Sequence, residues 1–315
     1  MSDNKSMEPT TPTSQADDYV FLLGRPPISE LISFIRTMAV DGHSVDQSRL
    51  TQEWREANQR LIEIEQLEAG LADNPPILEL PIEMQSFSQR VLTDPIFSES
   101  YGSVPTELVL VELDRLVVHQ KFINLGFVES LKATIPAVPT ASDLARVAFG
   151  LDQEQPKITV RQAGQGIFQF ISPSNDLRAL ESGLVHPSQV LGFKTTGRPH
   201  AYLVMAVGLG SNYLNALHIE GRLVLHNGSH RAYALRSLGV THVPCVVQHV
   251  SLRDELELVA SGDLLQNPDR YLKISRPAML KDYFDEKLTK IFPVPRKSRL
   301  VQAQVGAGNS DVPTA

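Results

Sequence analysis

The sequence predicts an α+β fold, and three observations support this. Residues 223–250 have the pattern of a strand, a tight glycine turn, a helix and a second strand. Residues 45–72 carry apolar side chains three, four or seven positions apart, as in a long amphipathic helix. Residues 108–122 begin with an apolar run in which Glu112 and Asp114 alternate with apolar residues, as in a half-buried strand. We therefore expect a mixed sheet with helices, preceded by an α-helical N-terminal region.

The first hundred residues divide into a tail and a helical region. Residues 1–18 are polar and lack the apolar core of a secretory signal, so we expect a disordered tail. The apolar stretch 19–40 is interrupted by charges and prolines and cannot cross a bilayer as one helix. Its second half instead predicts an amphipathic helix with Pro27 in the first turn. The whole of 19–100 is expected to be mainly helical.

The long helix over 45–72 has two interpretations. Its apolar stripe either packs on its own domain or forms a coiled-coil arm, in which case residues 28–72 would bind a protein partner or a second copy. The helix should end before Asn74-Pro75-Pro76. A shorter helix is expected between 81 and 94, and a connector from there to Pro105.

The rest of the chain predicts one large domain and an extension. The domain spans 101–260 and contains an insertion at about 136–212, with a helix near 142–149 and strands near 158–161 and 167–171. Apolar runs at 201–207 and 213–219 are expected to join the main sheet. Residues 261–303 predict a C-terminal helical extension ending in a short strand, and 304–315 a disordered tail.

Composition limits the class of partner. The chain has 315 residues, a formal net charge of −7 and a single cysteine. The acidic balance argues against a general affinity for nucleic acid or for anionic membranes. One cysteine excludes a disulfide framework and fits a reducing cytoplasm.

The residues best suited to bind a ligand lie at the start of the helix in residues 223–250, in the run Asn227-Gly228-Ser229-His230-Arg231. The first N–H groups of a helix have no internal partner and carry partial positive charge, which suits a phosphate. Gly228 permits a positive φ and a close approach, Ser229 is a natural N-cap, and Arg231 is able to grip two phosphate oxygens. The alternative is an ordinary turn with surface side chains.

Two further sets of residues have side chains of the kinds that bind anions or metal ions. Lys194, Arg198 and His200 lie in a polar loop that either caps a phosphate or forms a solvated tip. Residues 223–250 also contain four histidines, His226, His230, His242 and His249. A glycine turn separates the first two and no carboxylate completes a set of metal ligands, so no metal site is predicted.

The run 227–231, followed by Leu238-Gly239 and Val243-Pro244, resembles the phosphate loop of the ParB/sulfiredoxin-like superfamily, especially its free-serine kinases. Residues 108–122 and the helix after them resemble the opening strand and helix of that family. The resemblance implies a ParB/sulfiredoxin-like sheet and a bound ATP, ADP or CTP with Mg²⁺. It covers about 105–135 and 220–250, separated by a gap longer than is usual in the family.

Departures from the family pattern change the expected chemistry. Ser229 replaces the sulfiredoxin cysteine, so a thiol mechanism is not expected. Gln120 stands where the kinases have the glutamate proposed as base, and Asn227 replaces the leading aspartate of the loop. An amide does not accept a proton, so His119 is left as the candidate catalytic residue.

Three functions follow. The first is a non-catalytic or regulatory module that binds a nucleotide or phosphorylated small molecule at residues 227–231, with Gln120, Lys194 and Arg198 as secondary candidates. The second is a small-molecule kinase or other phosphotransferase that uses His119 or an unrecognised carboxylate. The third is an interaction scaffold that uses the N-terminal helices. A chromosome-partition role is disfavoured because too few residues remain for a helix-turn-helix domain.

Overall fold

A computed structural model describes residues 15–311 and has the α+β architecture that the sequence predicts. The chain forms two compact units. Of the described residues, the first unit contains 15–152 and 212–296, and the second contains 153–211 and 297–311.

The elements are bounded as follows. The helices are α1 (Ile28–Met38), α2 (Gln47–Glu68), α3 (Gln85–Leu92), α4 (Pro95–Tyr101), α5 (Leu125–Lys132), α6 (Ala141–Ala148), α7 (Ser229–Ser237), α8 (Leu256–Val259), α9 (Gly262–Gln266) and α10 (Asp269–Leu272). The strands are β1 (Ala16–Leu22), β2 (Ile77–Glu79), β3 (Thr106–Glu112), β4 (Val117–Val118), β5 (Phe122–Asn124), β6 (Thr159–Gly164), β7 (Ile167–Ser172), β8 (Leu177–Val185), β9 (Tyr202–Leu209), β10 (Asn215–Ile219), β11 (Arg222–Asn227), β12 (His242–Val250), β13 (Thr289–Pro295) and β14 (Arg299–Gln304).

A six-stranded mixed sheet forms the centre of the first unit, in the order β2-β3-β12-β10-β11-β4. β12 runs parallel to β10 and antiparallel to β3, and β11 runs parallel to β4. The predicted strand, helix and strand of residues 223–250 are β11, α7 and β12. Gly228 and Gly239 bracket α7 with φ values of +92° and +82°, so both glycines adopt the left-handed conformation that the sequence suggested.

The N-terminal helices pack against a second sheet, in the order β13-β1-β5. Leu50, Ala57, Leu61 and Ile64 of α2 are buried in a cluster with residues of α1 and β1. The apolar stripe of α2 thus lies on its own unit, the first of the two interpretations. The predicted tail ends too late, because Ala16 to Asp18 already pair with β13; residues 1–14 lie outside the described part of the chain.

Other boundaries also differ from the prediction. The expected connector before Pro105 contains α4, which begins with Asp94 accepting a hydrogen bond from the Ile96 N–H. Within the helical extension expected over 261–303, residues Leu280–Phe284 form a 3₁₀ turn and β13 follows, with Phe292 and Val294 pointing inward. Pairing with β1 overrides local helical spacing there. The extension 261–303 is therefore only partly helical.

Most of the predicted insertion is the second unit, although α6 belongs to the first. The second unit has a three-stranded sheet, β14-β7-β6, and a hairpin of β8 and β9. The expectation that 201–207 joins the main sheet is wrong, since β9 pairs with β8, a strand that the sequence did not indicate. Among residues 15–311, no helix combines the length and apolar character that a membrane span requires.

Candidate functional site

Gly228 is packed tightly within its own unit. A Cβ built on this residue would lie 3.1 Å from the Cα and the Cγ of Leu214. The positive φ and this close approach together explain why glycine is needed. The space beside Gly228 is therefore occupied by Leu214, not left open for a ligand as expected.

Arg231 points into the protein. Its Nη1 donates hydrogen bonds to the carbonyl oxygens of Val147, Ala148 and Asn212 at 3.3, 3.0 and 2.6 Å, and the residue is buried. The first two carbonyls belong to the C-terminal end of α6, where a helix carries partial negative charge. Arg231 thus ties α7 to the end of α6, an arrangement that does not fit the predicted grip on a phosphate.

His230 also makes an internal contact. Its Nε2 accepts a hydrogen bond from the backbone N–H of Asn124 at 3.0 Å, and its ring meets Phe127 edge-on. Burial, with a smaller contribution from the charge of Arg231, lowers the pKa of His230 to about 4. The ring is therefore neutral at pH 7. Ser229 is buried and Asn227 partly buried, so residues 229–231 face mainly inward.

A cavity of about 220 Å³ lies elsewhere in the first unit. It is bounded by three segments: residues 22–27 after β1, residues 118–121 after β4, and the region of α9 and α10. Its lining residues are Leu22, Arg25, Pro26, Pro27, Val118, His119, Gln120, Lys121, Asp263, Arg270, Tyr271, Ile274 and Ala278. Two predicted site residues, His119 and Gln120, thus share this cavity, whereas none of residues 227–231 lines it.

His119 joins the cavity to the end of β11. Its ring stacks on His226 with 5.9 Å between centroids and meets Tyr271 edge-on at 6.3 Å. Burial lowers the pKa of His119, although a hydrogen bond to the His226 backbone opposes this. The ring is therefore neutral at pH 7, with one nitrogen donating to that backbone and the other left as an acceptor.

Gln120 presents an amide to the same cavity. Its backbone carbonyl accepts a hydrogen bond from the Tyr283 hydroxyl at 2.7 Å, which fixes the main chain. Its side chain makes no hydrogen bond within residues 15–311. The amide is thus able to donate to a ligand and to accept from one.

Asp263 is the lining carboxylate. It accepts hydrogen bonds from the Tyr271 hydroxyl and, at 2.9 Å, from the Asn267 amide, and it lies 3.8 Å from Lys121 and 3.6 Å from Arg270. Burial alone would raise the pKa of Asp263, but these hydrogen bonds and charges bring it below the ordinary value. Glu30 forms further ion pairs with Lys121 and Arg270. Both cations are therefore neutralised at the cavity wall.

Arg25 differs from these two cations. Its Nη2 donates to the carbonyl of Arg276, but its Nε is buried without a hydrogen-bond partner and it forms no ion pair in the described part of the chain. Burial lowers the pKa of Arg25, and the nearby charge of Arg276 lowers it further, against the opposing fields of Asp282 and Glu65. Arg25 is a desolvated and poorly compensated positive charge at the cavity wall.

The remaining candidates do not extend this site. Lys194 and Arg198 are exposed in a loop of the second unit between β8 and β9. Over residues 15–311, no group of three or more His, Cys, Asp or Glu side chains is arranged to hold a metal ion.

Comparison with known proteins adds no identification. No family model, no curated protein and no solved structure matches this chain. The cavity must therefore be interpreted from its own chemistry.

The sequence pointed to only part of this cavity. Arg25, Lys121, Asp263 and Arg270 were not predicted as site residues, because they come from three segments separated by more than ninety positions. One signal was available: Lys121 directly follows His119 and Gln120. The contribution of Arg25 depends on β1 pairing beside β5, which no local pattern indicated.

Proposed function

We propose that this protein binds a small anionic metabolite, a phosphate ester or a carboxylate, in the cavity lined by Arg25, His119 and Gln120. The observation that carries the proposal is the half-buried guanidinium of Arg25, which forms no ion pair in the described residues and whose Nε has no hydrogen-bond partner. A buried cation is costly unless an anion accompanies it. A bound phosphate or carboxylate would supply that anion and accept hydrogen bonds from the guanidinium.

The other lining groups narrow the ligand class. The ring nitrogen of His119 that acts as an acceptor would take a hydrogen bond from a ligand hydroxyl. The Gln120 amide would either donate to a ligand acceptor or accept from a ligand donor. Leu22, Val118 and Ile274 provide an apolar wall for a carbon skeleton. The volume of about 220 Å³ is below the range of roughly 300–1,000 Å³ for drug-sized ligands, so a small metabolite is favoured over a whole nucleotide.

The sequence also predicted a phosphate-containing ligand, but it placed that ligand at a different site. The resemblance to ParB/sulfiredoxin-like domains agrees with phosphate chemistry, but it located the ligand at residues 227–231. The inward contacts of Arg231 and His230 favour a supporting role for that loop. The loop fixes β11, and His226 at the end of β11 supports His119.

Phosphoryl transfer is the second candidate, favoured by the presence of His119 and Asp263 in one cavity. A neutral histidine is able to accept a proton from a ligand hydroxyl, as a general base must. Asp263 would then be the unrecognised carboxylate that the sequence analysis allowed for in a phosphotransferase. Transfer requires a nucleotide donor, so it predicts turnover of ATP or CTP with Mg²⁺, which simple binding does not.

Calorimetric titration of the full chain tests the binding proposal. The probes are inorganic phosphate, glycerol 3-phosphate, acetate, ATP, ADP and CTP, each with and without Mg²⁺. We expect at least one small anion to bind and Arg25→Met to weaken it tenfold or more, because a hydrogen bond to a charged group contributes about 1.5–3 kcal/mol. The matched control is Arg55→Met, since Arg55 is exposed on α2.

Three outcomes decide between the candidates. Binding to none of the probes, or equal affinity in Arg25→Met and the wild type, would refute the cavity proposal. Loss of binding in folded Arg231→Met with retention in Arg25→Met would place the ligand at the loop instead. Phosphorus NMR with ATP, Mg²⁺ and free serine tests turnover: a phosphorylated product that disappears in His119→Gln would favour transfer over simple binding.

A further inference from the structure

The second unit buries few apolar side chains. Leu177 is the only large apolar residue fully buried among its described residues. On the hairpin of β8 and β9, by contrast, Leu184, Leu203, Val204 and Met205 are exposed, as are Leu191 and Phe193 in the connecting loop. A two-stranded hairpin is only marginally stable by itself, and contiguous exposed apolar surface usually marks an interaction site.

The two edges of this hairpin differ. β8 contains Arg178 and Glu181 and an irregular register between Ala179 and Glu181, features that protect an edge strand from further pairing. β9 is Tyr202–Leu209, a run of eight residues without a charge or a proline. Within residues 15–311 it pairs only with β8. The outer edge of β9 is therefore a long, unprotected template for another strand.

We propose that this edge pairs antiparallel with β9 of a second copy of the chain, giving a four-stranded sheet across a two-fold axis. Such an axis stands perpendicular to the sheet and keeps equivalent side chains on one face, so it lies midway between the two copies of one residue. Centred on Met205, the pairing places Leu203 opposite Val207 of the second copy and Tyr202 opposite Gly208. No like charges meet, so the usual obstacle to pairing identical strands is absent.

The exposed side chains support the same arrangement. Leu184 lies directly opposite Leu203, and Ser182 lies opposite Met205. The apolar side chains of Leu184, Leu203 and Met205 therefore share one face of the hairpin. In the four-stranded sheet, the two copies of that face form one apolar strip. A different protein as partner is less favoured, because the edge has no charges with which to select it.

Sedimentation of the full chain tests the proposal with matched variants. We expect a wild-type dimer, and a monomer for Leu203→Lys/Met205→Lys, where lysines meet across the axis. The control is Ile62→Lys/Leu67→Lys on α2. These residues are 51% and 83% exposed, against 50% for Met205 and 68% for Leu203. The control should remain dimeric. A monomeric wild type at high concentration, or a dimer that persists in Leu203→Lys/Met205→Lys, would overturn the proposal.

Cross-linking tests the geometry. Cysteines at position 205 would have Cα atoms about 5 Å apart, within disulfide range, whereas cysteines at 184 would be separated by three strand spacings and by four residues along the strands, roughly 19 Å in all. Met205→Cys should therefore form a covalent dimer on mild oxidation and Leu184→Cys should not. The native Cys245 is buried and leaves little background. Cross-linking through 184 in preference to 205 would refute edge pairing and indicate packing of the hairpin faces.

Discussion

The loop at residues 227–231 and the cavity beside Arg25 are both rich in polar residues, but their polar groups have different partners. Arg231 donates to three backbone carbonyls and His230 accepts from a backbone N–H. At the cavity wall, the buried Nε of Arg25 has no hydrogen-bond partner, and the amide of Gln120 makes no hydrogen bond in the described residues. Unsatisfied polar groups therefore support the proposed cavity site, whereas the phosphate-loop pattern lies at residues that make internal hydrogen bonds. Substitutions in the loop should therefore change stability, and those in the cavity should change binding.

The largest expected effect is that of Arg231→Ala. It removes three charge-assisted hydrogen bonds and a buried side chain, so the free energy of unfolding should fall by roughly 4 kcal/mol. Denaturant titration measures this, with Arg55→Ala as an exposed control that should change it by less than about 0.5 kcal/mol. Equal stability of the two variants would contradict the structural role assigned to Arg231.

The pH dependence of stability tests His230. Because burial lowers its pKa to about 4 from 6.5, the unfolded chain binds a proton between these values and the folded chain does not. His230 should therefore reduce stability as the pH falls from about 6.5 to 4, by up to about 3 kcal/mol. His230→Gln, which keeps an acceptor for the Asn124 N–H, should lose this component in unfolding curves at pH 7, 5.5 and 4.5. An unchanged pH dependence in the variant would contradict the assignment.

Gly228→Ala should have a smaller effect. Both the positive φ and the 3.1 Å approach to Leu214 oppose a Cβ, so we expect a loss of about 2 kcal/mol. Gly239→Ala is the matched control, because Gly239 also has a positive φ but nothing lies within 4 Å of its added Cβ. The control should lose about 1 kcal/mol from backbone strain alone. If the two variants were equal in thermal denaturation, close packing at Gly228 would be excluded.

The smallest effect on stability is expected for Arg25→Met. The substitution keeps an apolar stem and removes a desolvated charge with a partnerless Nε, so the free energy of unfolding should stay within about 0.5 kcal/mol of the wild type or rise. Binding of the anionic ligand should nevertheless be weakened. A large loss of stability would mean that Arg25 is structural, as Arg231 is, and would remove the contrast between the two regions.

Much of the fold could be predicted from local pattern. The 223–250 unit, α1 and α2 follow from apolar spacing and from residues that start or stop helices, such as Pro27, Gly228 and Gly239. The errors lie where pairing with another strand determines the local structure. β13 is a strand because it pairs with β1, and β9 is outside the main sheet because it pairs with β8. Of the candidate site, only His119 and Gln120 were anticipated, since they follow a recognisable strand.

The sequence by itself determined the strand, helix and strand of residues 223–250 and the glycine positions around α7, because backbone conformation and amphipathic spacing are local properties. It also supplied the chemistry of residues 227–231, but not the direction in which those side chains point. Only the tertiary structure decided that Arg231 reaches the end of α6, and that Arg25 meets His119 across more than ninety residues. The physical reason is that burial and hydrogen-bond satisfaction depend on which distant segments are brought together.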